Sequence, residues 1–466
     1  MTSQTSRFSN PCSPVRNGRL GWLLALVLLP MLACSGDTKE VDPGPPPNVL
    51  VILVDALRAD HLGVGGYPLP TSPAIDRLAE EGVAFTSAFA HSSWTKPSIA
   101  TLFTSLYPGQ HGIDRVGVQE GDDYMTDILH EGYDTLAERF RAAGYSTIGV
   151  LNQVHLQDRF GFAQGFDHFE AVRGMGALKL NRKLLKQLEG VGSSPFFAYL
   201  HYLDVHWPYT KRLAGKQDAF GSMDMVSEPP QRGNRVADWV ETLDSEADLD
   251  ALVARYDQEV AFADAAIGEL MLSLQAMGLY ENTLVVVTSD HGEGFLEHDK
   301  LLHSFTPYDE VLHVPLVFRL PTSLPEPVPE VDAPAGLVDL MPTLLDLANL
   351  PPAAQAQGQS LVPLMQGESV PERWIFAESA DAVAVRSSTH KLIRFHDGRV
   401  EFYDLVADPD EQSPDTGACV DLCGRLAEQL VGHQRAMSEM RKIGLEGGTA
   451  ILDEKELEEL RSLGYL

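Results

Sequence analysis

Positive charge is scarce in this chain. Lysine and arginine number 35 against 66 aspartates and glutamates, a formal net charge of −31. Such a balance repels nucleic-acid backbones and anionic membrane surfaces, so no nucleic-acid partner is expected. Cysteine is scarce too, with four in 466 residues. Cys419 and Cys423 form a C-x-x-x-C pair with no further cysteine and no tight histidine cluster beside it, which disfavours a cysteine metal site. Long apolar runs are missing as well. Leu20–Leu32 is interrupted by Gly21 and Pro30 and is too short to span a bilayer comfortably. There is no internal repeat. What remains, 44% hydrophobic residues in a long chain, is enough for a large core and for two or three domains.

The first residues read as a targeting segment. Arg7, Arg16 and Arg19 precede the Leu20–Leu32 run, which ends at "MLAC" with Cys34. This resembles a bacterial lipoprotein signal spanning residues 1–33, with lipid attached at Cys34. That implies a cell-envelope protein, periplasm-facing or in the outer membrane, held to the membrane by acyl chains. Cys419 and Cys423 are then left as a possible disulfide in an oxidising compartment. Residues 34–47 are polar and proline-rich and read as a disordered tether.

The folded body begins at "NVLVILVD", Asn48–Asp55. Its unbroken aliphatic run is the habit of a strand buried on both faces of a parallel sheet. "TLVVVTSD" (Thr283–Asp290) repeats it. "YSTIGVL" (Tyr145–Leu151) and "FFAYLHYLD" (Phe196–Asp204) are further strands. Between them, Val260, Ala263, Ile267, Leu270, Met271 and Leu274 recur at helical spacing. "YDTLAERFRAAGY" (Tyr133–Tyr145) does the same and ends at a glycine. Alternating strands and helices predict an α/β sandwich with a mainly parallel central sheet flanked by helices. Residues 211–246 read as a surface insertion. From about residue 370 the texture changes. "AVAVRSS", "HKLIRFHDG" and "VEFYDL" are short, turn-punctuated strands, which predicts a small C-terminal subdomain with an antiparallel sheet. The boundaries read as 48–368 and 369–466, and the chain closes on a short amphipathic helix.

Two of the buried strands end in aspartate: Asp55 and, with His291 adjoining, Asp290. Ligands gather at the carboxyl ends of strands in open α/β sheets. Two carboxylates and an imidazole there suit one divalent metal ion, and calcium, manganese, magnesium and zinc all qualify, the histidine tilting the choice away from calcium. The third element is "SSWTKPSIATLFT" (Ser92–Thr104). Pro97 suits the first turn of a helix, which puts Thr95 at the helix N-terminus. An anion is favoured there. Read alone, Thr95 is a helix cap; beside a metal its hydroxyl becomes a usable nucleophile.

"NVLVILVDALRADHLG", "TKPSIATLFTSLYPGQHG", "HYLDVHWPY", "NTLVVVTSDHGEG" and "VDLMPTLLDLANL" occur in that order, and together they resemble the sulfatase family within the alkaline phosphatase superfamily. The likeness implies an alkaline-phosphatase-like sandwich and a metal-centred site for esters of tetrahedral oxyanions. By position it implies Asp55, Asp290 and His291 as metal ligands and Thr95 as nucleophile touching the metal. His206 would contact the ester or protonate the leaving group, and His303 would face the substrate oxyanion. Lys96 could meet a substrate oxygen or stand in solvent.

The sequence departs from the family at its signature, C-x-P-S-R or S-x-P-S-R. Here Thr95-Lys96-Pro97-Ser98-Ile99 stands in its place. Oxidation of threonine would give a ketone, so formylglycine is not expected, and Ile99 replaces the arginine that supports it. Ala56 follows Asp55 where the family often has a second aspartate. These departures favour phosphate esters or diesters, cleaved or transferred through an unmodified Thr95. A sulfuric ester hydrolase is the alternative, and a binding lipoprotein without catalysis is the third reading. The substrate is expected to be a small-molecule, glycan or lipid-headgroup ester.

Overall fold

Alternate residues of strand β1 (Asn48–Val54) point into two separate cores, which is why the run carries no polar residue between Val49 and Val54. The computed structural model describes residues 45–114, 118–120, 123–209, 220, 246–415, 421–443, 445 and 447–463. Cys34 with the segment before it, Cys419 and nearly all of the 211–246 insertion lie outside them. Cys423 is disulfide-bonded. The described residues form one compact unit.

β1 is central in an eight-stranded sheet. The other strands are β2 (Val83–Phe85), β3 (Ser146–Leu151), β4 (His168–Ala171), β5 (Phe196–Tyr202), β6 (Thr283–Thr288), β7 (Leu316–Arg319) and β8 (Glu330–Val331), in the spatial order β8-β2-β7-β6-β1-β5-β3-β4. Pairing is parallel except for β7, which runs against both its neighbours. The sheet is therefore mainly parallel, as the apolar runs predict.

Helices cover both faces. α1 (Pro73–Glu80), α4 (Ala177–Leu188) and α5 (Glu246–Ala276) bury Ile75, Leu78, Leu180, Leu184, Ile267, Leu270 and Leu274 against Leu50, Ile52 and Val54. On the other face α2 (Thr95–Thr104), α3 (Leu136–Ala142) and α6 (Leu340–Leu347) pack Leu102, Phe103, Leu136, Phe140 and Leu344 onto Val49, Val51 and Leu53. Thr135 and Glu138 form a capping box that starts α3.

A four-stranded antiparallel sheet follows: β9 (Ile375–Glu378), β10 (Ala382–Arg386), β11 (His390–Phe395) and β12 (Val400–Asp404). One face packs against Leu426 and Leu430 of α7 (Asp421–Ile443). Lys391 is wholly buried, with its ammonium 2.7 Å from both Asp309 Oδ1 and Glu411 Oε1. Lys391→Met would strand Glu411 in the interior, while Asp309 keeps Arg386, so we expect a loss of about 3 kcal/mol, the lower end for breaking a buried ion pair. Urea denaturation measures it; an unchanged midpoint would show that the lysine contributes nothing net.

His298 supplies a pH-dependent tie in the same region. Its Nδ1 lies 2.9 Å from Glu310 Oε1, its Nε2 lies 2.9 Å from the Glu411 carbonyl, and its ring stacks on Tyr308 at 3.6 Å. Burial alone would lower its pKa, but the Glu310 carboxylate outweighs burial and pushes it up to about 9. A histidine raised in the fold adds stability below its ordinary 6.5 and loses it as pH climbs through about 9. The melting temperature should therefore fall from pH 6.5 to 9 more steeply in the parent protein than in His298→Gln, and parallel curves would refute the assignment.

Candidate active site

The ends of β1 and β6 are laced together. Past β1 the chain turns through Ala56, with φ of 58°, so that the Ala56 amide donates to Asp290 Oδ1 at 3.3 Å and the Leu57 amide to Ser289 Oγ at 2.9 Å. Asp55, Asp290 and His291 thereby meet with no solvent exposure, each presenting a ligand atom within 4.8 Å of the others.

The hydrogen bonds decide which atoms face inward. Asp290 Oδ1 also accepts from the His291 amide at 3.1 Å, while its Oδ2 meets no donor among the described residues. Asp55 Oδ2 accepts from Gln153 Nε2 at 2.7 Å and pairs with His201 Nε2 at 3.0 Å, while Oδ1 meets none. His291 Nδ1 donates to the Gly292 carbonyl at 2.8 Å, which leaves the Nε2 lone pair free to coordinate. That nitrogen is 3.6 Å from Asp55 Oδ1 and 3.5 Å from Asp290 Oδ2. Two undonated carboxylate oxygens and an imidazole nitrogen in a dry corner fit a divalent cation.

The charge balance agrees. Burial, then the charge of Asp55, pushes the Asp290 carboxyl up. Burial would raise Asp55 too, but the His201 bond and the nearby imidazoles outweigh it and hold that carboxyl well below its usual range.

Thr95 is the first residue of α2, whose ten residues are all buried, so water does not dilute the field of its N-terminus. Thr95 Oγ1 stands 3.3 Å from His291 Nε2, at the same corner. Pro97 lies in the first turn, where its missing N–H is not needed, and Ser98 Oγ donates to the Ser92 carbonyl at 3.0 Å to shape the preceding loop. Around this corner the His303 ring sits 4.1 Å from that of His291, and His206 stands edge-on to His303 at 4.9 Å. Glu293 Oε1 meets His303 Nδ1 at 2.8 Å, and Glu293 Oε2 accepts from the Tyr209 hydroxyl at 2.9 Å. Burial, with His291 and His206 beside it, holds His303 far below the ordinary imidazole range.

The sulfatase sequence profile matches residues 47–350, well over half of the chain. The chain belongs to the sulfatase family. The profile of the N-sulphoglucosamine sulphohydrolase C-terminal region matches residues 297–434. Arylsulfatase K of Mus musculus is 32% identical over 451 residues, covering 84% of this chain and 79% of that protein. An ulvan-active sulfatase of Formosa agariphila is 26% identical over 438 residues, covering 84% and 82%. Among solved structures, a phosphonate monoester hydrolase of Agrobacterium radiobacter superposes with a TM-score of 0.66 at 22% identity, covering 86% of this chain and 96% of that one. The protein is a sulfatase-family hydrolase with an alkaline-phosphatase-like fold, an enzyme of the sulfuric or phosphoric ester class.

One residue of this sulfatase-family site stands where neither sequence expectation put it. Lys96 was expected on a substrate oxygen or in solvent. It is wholly buried: Nζ donates to Thr126 Oγ1 at 2.5 Å and to the Asp127 carbonyl, over the ring of Phe160. Burial pushes its pKa down to about 7. These bonds tie the start of α2 to the Thr126–Asp127 segment. Ile99, at the family's arginine position, is a core residue. Asp204, the aspartate that closes the Phe196–Asp204 run, accepts from the Ala177 amide at the start of α4.

Sequence reasoning missed Gln153, His155 and His201. Gln153 and His155 follow the end of β3, so the strand-end rule that found Asp55 applies to them too. His155 is buried within the fields of Lys96, Asp55, His206 and His303, and burial holds it well below the ordinary imidazole range. His201 lies inside β5, a position that reads as core.

Proposed function

We propose that the protein hydrolyses sulfate esters of a glycan or other small molecule, with the unmodified Thr95 hydroxyl as nucleophile and one divalent metal ion held by Asp55, Asp290 and His291. The observation that carries this reading is Thr95 Oγ1 at the corner where two undonated carboxylate oxygens and His291 Nε2 converge. The sulfatases among its relatives support sulfate as the ester, and so reverse the ranking that the threonine alone suggests.

Thr95 Oγ1 attacks sulfur, the bond to the alcohol oxygen breaks, and the departing oxygen gains a proton. The threonine hydroxyl proton passes to a histidine at this corner, for which His303, held by Glu293 at its Nδ1, is the candidate. His206, edge-on to it, is placed to share the transfer at the leaving oxygen. Water then attacks sulfur, the bond to Oγ1 breaks, and the hydroxyl is restored. The metal, when bound, would lower the hydroxyl pKa and offset oxyanion charge. The amides at the start of α2 face the same charge.

A phosphate ester is the second reading. Thr95 favours it, because a threonine cannot be oxidised to an aldehyde and direct attack suits phosphorus. Initial rates on p-nitrophenyl sulfate, p-nitrophenyl phosphate and an aryl phosphodiester, each with and without Mn²⁺, test both readings. Faster sulfate turnover is expected. Phosphodiester turnover that exceeds it would install the second reading, and no metal-dependent turnover of any ester would sink both.

A further inference from the structure

The two oxygens of Asp55 are in unlike surroundings. Oδ2 is bonded twice, by Gln153 Nε2 at 2.7 Å and by His201 Nε2 at 3.0 Å, and Oδ1 faces the ligand corner without a donor among the described residues. His201 in turn is held from behind: its Nδ1 lies 2.8 Å from the Tyr199 hydroxyl. A neutral phenol next to an imidazole nitrogen can donate its proton there, which makes Nδ1 the acceptor and leaves the hydrogen on Nε2. The chain of donation then runs in one direction, from Tyr199 to His201 to Asp55.

The sheet fixes this chain in space. Tyr199 and His201 are two residues apart on β5, hence on one face, and β5 pairs in parallel with β1 in the register Val51 to Tyr199 and Leu53 to His201. The Asp55 amide continues the ladder by donating to the Tyr202 carbonyl at 2.9 Å. Tyr199, His201 and Asp55 all have no solvent exposure. A buried phenol and imidazole in the centre of a sheet cost stability relative to apolar side chains unless their polar atoms are engaged. Here both are engaged, and the line ends on a ligand carboxylate.

We infer that Tyr199 and His201 are positioning residues that commit one oxygen of Asp55 to the protein, so that the carboxylate meets the divalent cation through Oδ1 alone. Without them Gln153 alone would hold Oδ2, and the carboxylate would turn about its last bond more readily. The inference rests on the metal reading above and goes beyond it, because it assigns the affinity to two residues that touch no ligand position.

Titration calorimetry of the metal-free protein with Mn²⁺ tests it, with the Kd as readout. His201→Leu removes the donor and should weaken binding about 10–100-fold, the usual scale for a partner of a metal ligand. His201→Gln keeps an N–H near the Nε2 position and should recover most of that loss. Tyr199→Phe should weaken binding about 2–10-fold, the worth of one hydrogen bond. The same change made in His201→Gln should have no effect, since an amide has no tautomer to set. Equal Kd values for the parent, His201→Leu and Tyr199→Phe would overturn the inference. So would Tyr199→Phe weakening binding equally in both backgrounds, which would mean packing and not donation. If His201→Leu does not fold, the His201→Gln and Tyr199→Phe pair decides alone. A parent protein that binds no Mn²⁺ fails at an earlier step, sinks the metal reading, and takes this inference with it.

Discussion

Thr95→Ala should lower kcat/KM by about 10⁶-fold, the scale seen when a nucleophile is removed from an otherwise intact site. The loss is expected to be chemical and not structural. Thr95 is buried at the first turn of α2, and loss of its hydroxyl leaves the Ser98 bond that shapes the preceding loop in place. Mn²⁺ affinity should change little, because His291 loses only the 3.3 Å contact with Thr95 and the bonds that orient Asp55, Asp290 and the His291 Nδ1 remain. Thr95→Ser separates hydroxyl chemistry from any other role of the residue. It keeps the nucleophilic oxygen and should retain most of the rate. A Thr95→Ala enzyme within about tenfold of the parent would end the nucleophile assignment, whereas an inactive Thr95→Ser would show that the methyl group is needed to hold the oxygen in place.

The second large effect is a reversal. Asp290→Asn should abolish metal binding and with it turnover, a loss well beyond the ~10–100-fold of an outer-shell change. The same substitution should stabilise the protein in chelator. Without a cation, two buried carboxylates face one another across the His291 imidazole, and burial together with the charge of Asp55 already drives the Asp290 carboxyl up. The amide removes one of those charges and keeps an acceptor for the Ala56 and His291 amides. Melting curves with EDTA and with Mn²⁺ should therefore cross. The variant melts higher than the parent in EDTA and gains nothing from Mn²⁺, while the parent rises on addition of the metal. A variant less stable than the parent under both conditions would contradict the repulsion.

Much of this architecture is legible in the sequence because the informative side chains obey short-range rules. The run Val49–Val54 is apolar at every position because its residues alternate between two cores, and the first polar residue after it falls at the carboxyl end of the strand. The same logic finds Asp290, and Pro97 finds the start of α2 and hence Thr95. What stays hidden depends on partners far away in the chain. His201 reads as strand interior, and only the pairing of β5 with β1 reveals Asp55 beside it, 146 residues away. Lys96 is misplaced for a related reason. Nothing near it in sequence announces that Thr126, the Asp127 carbonyl and the Phe160 ring will enclose a lysine next to Thr95. Glu293 stands within a legible motif, yet its partners His303 and Tyr209 come from other segments.

The placement of Asp55 also bears on how the enzyme dies on heating. It caps the strand that both hydrophobic cores share, so no peripheral segment can fray and take Asp55 with it. Inactivation and global melting should accordingly trace one curve, with no warm interval in which an intact-looking molecule has already gone silent.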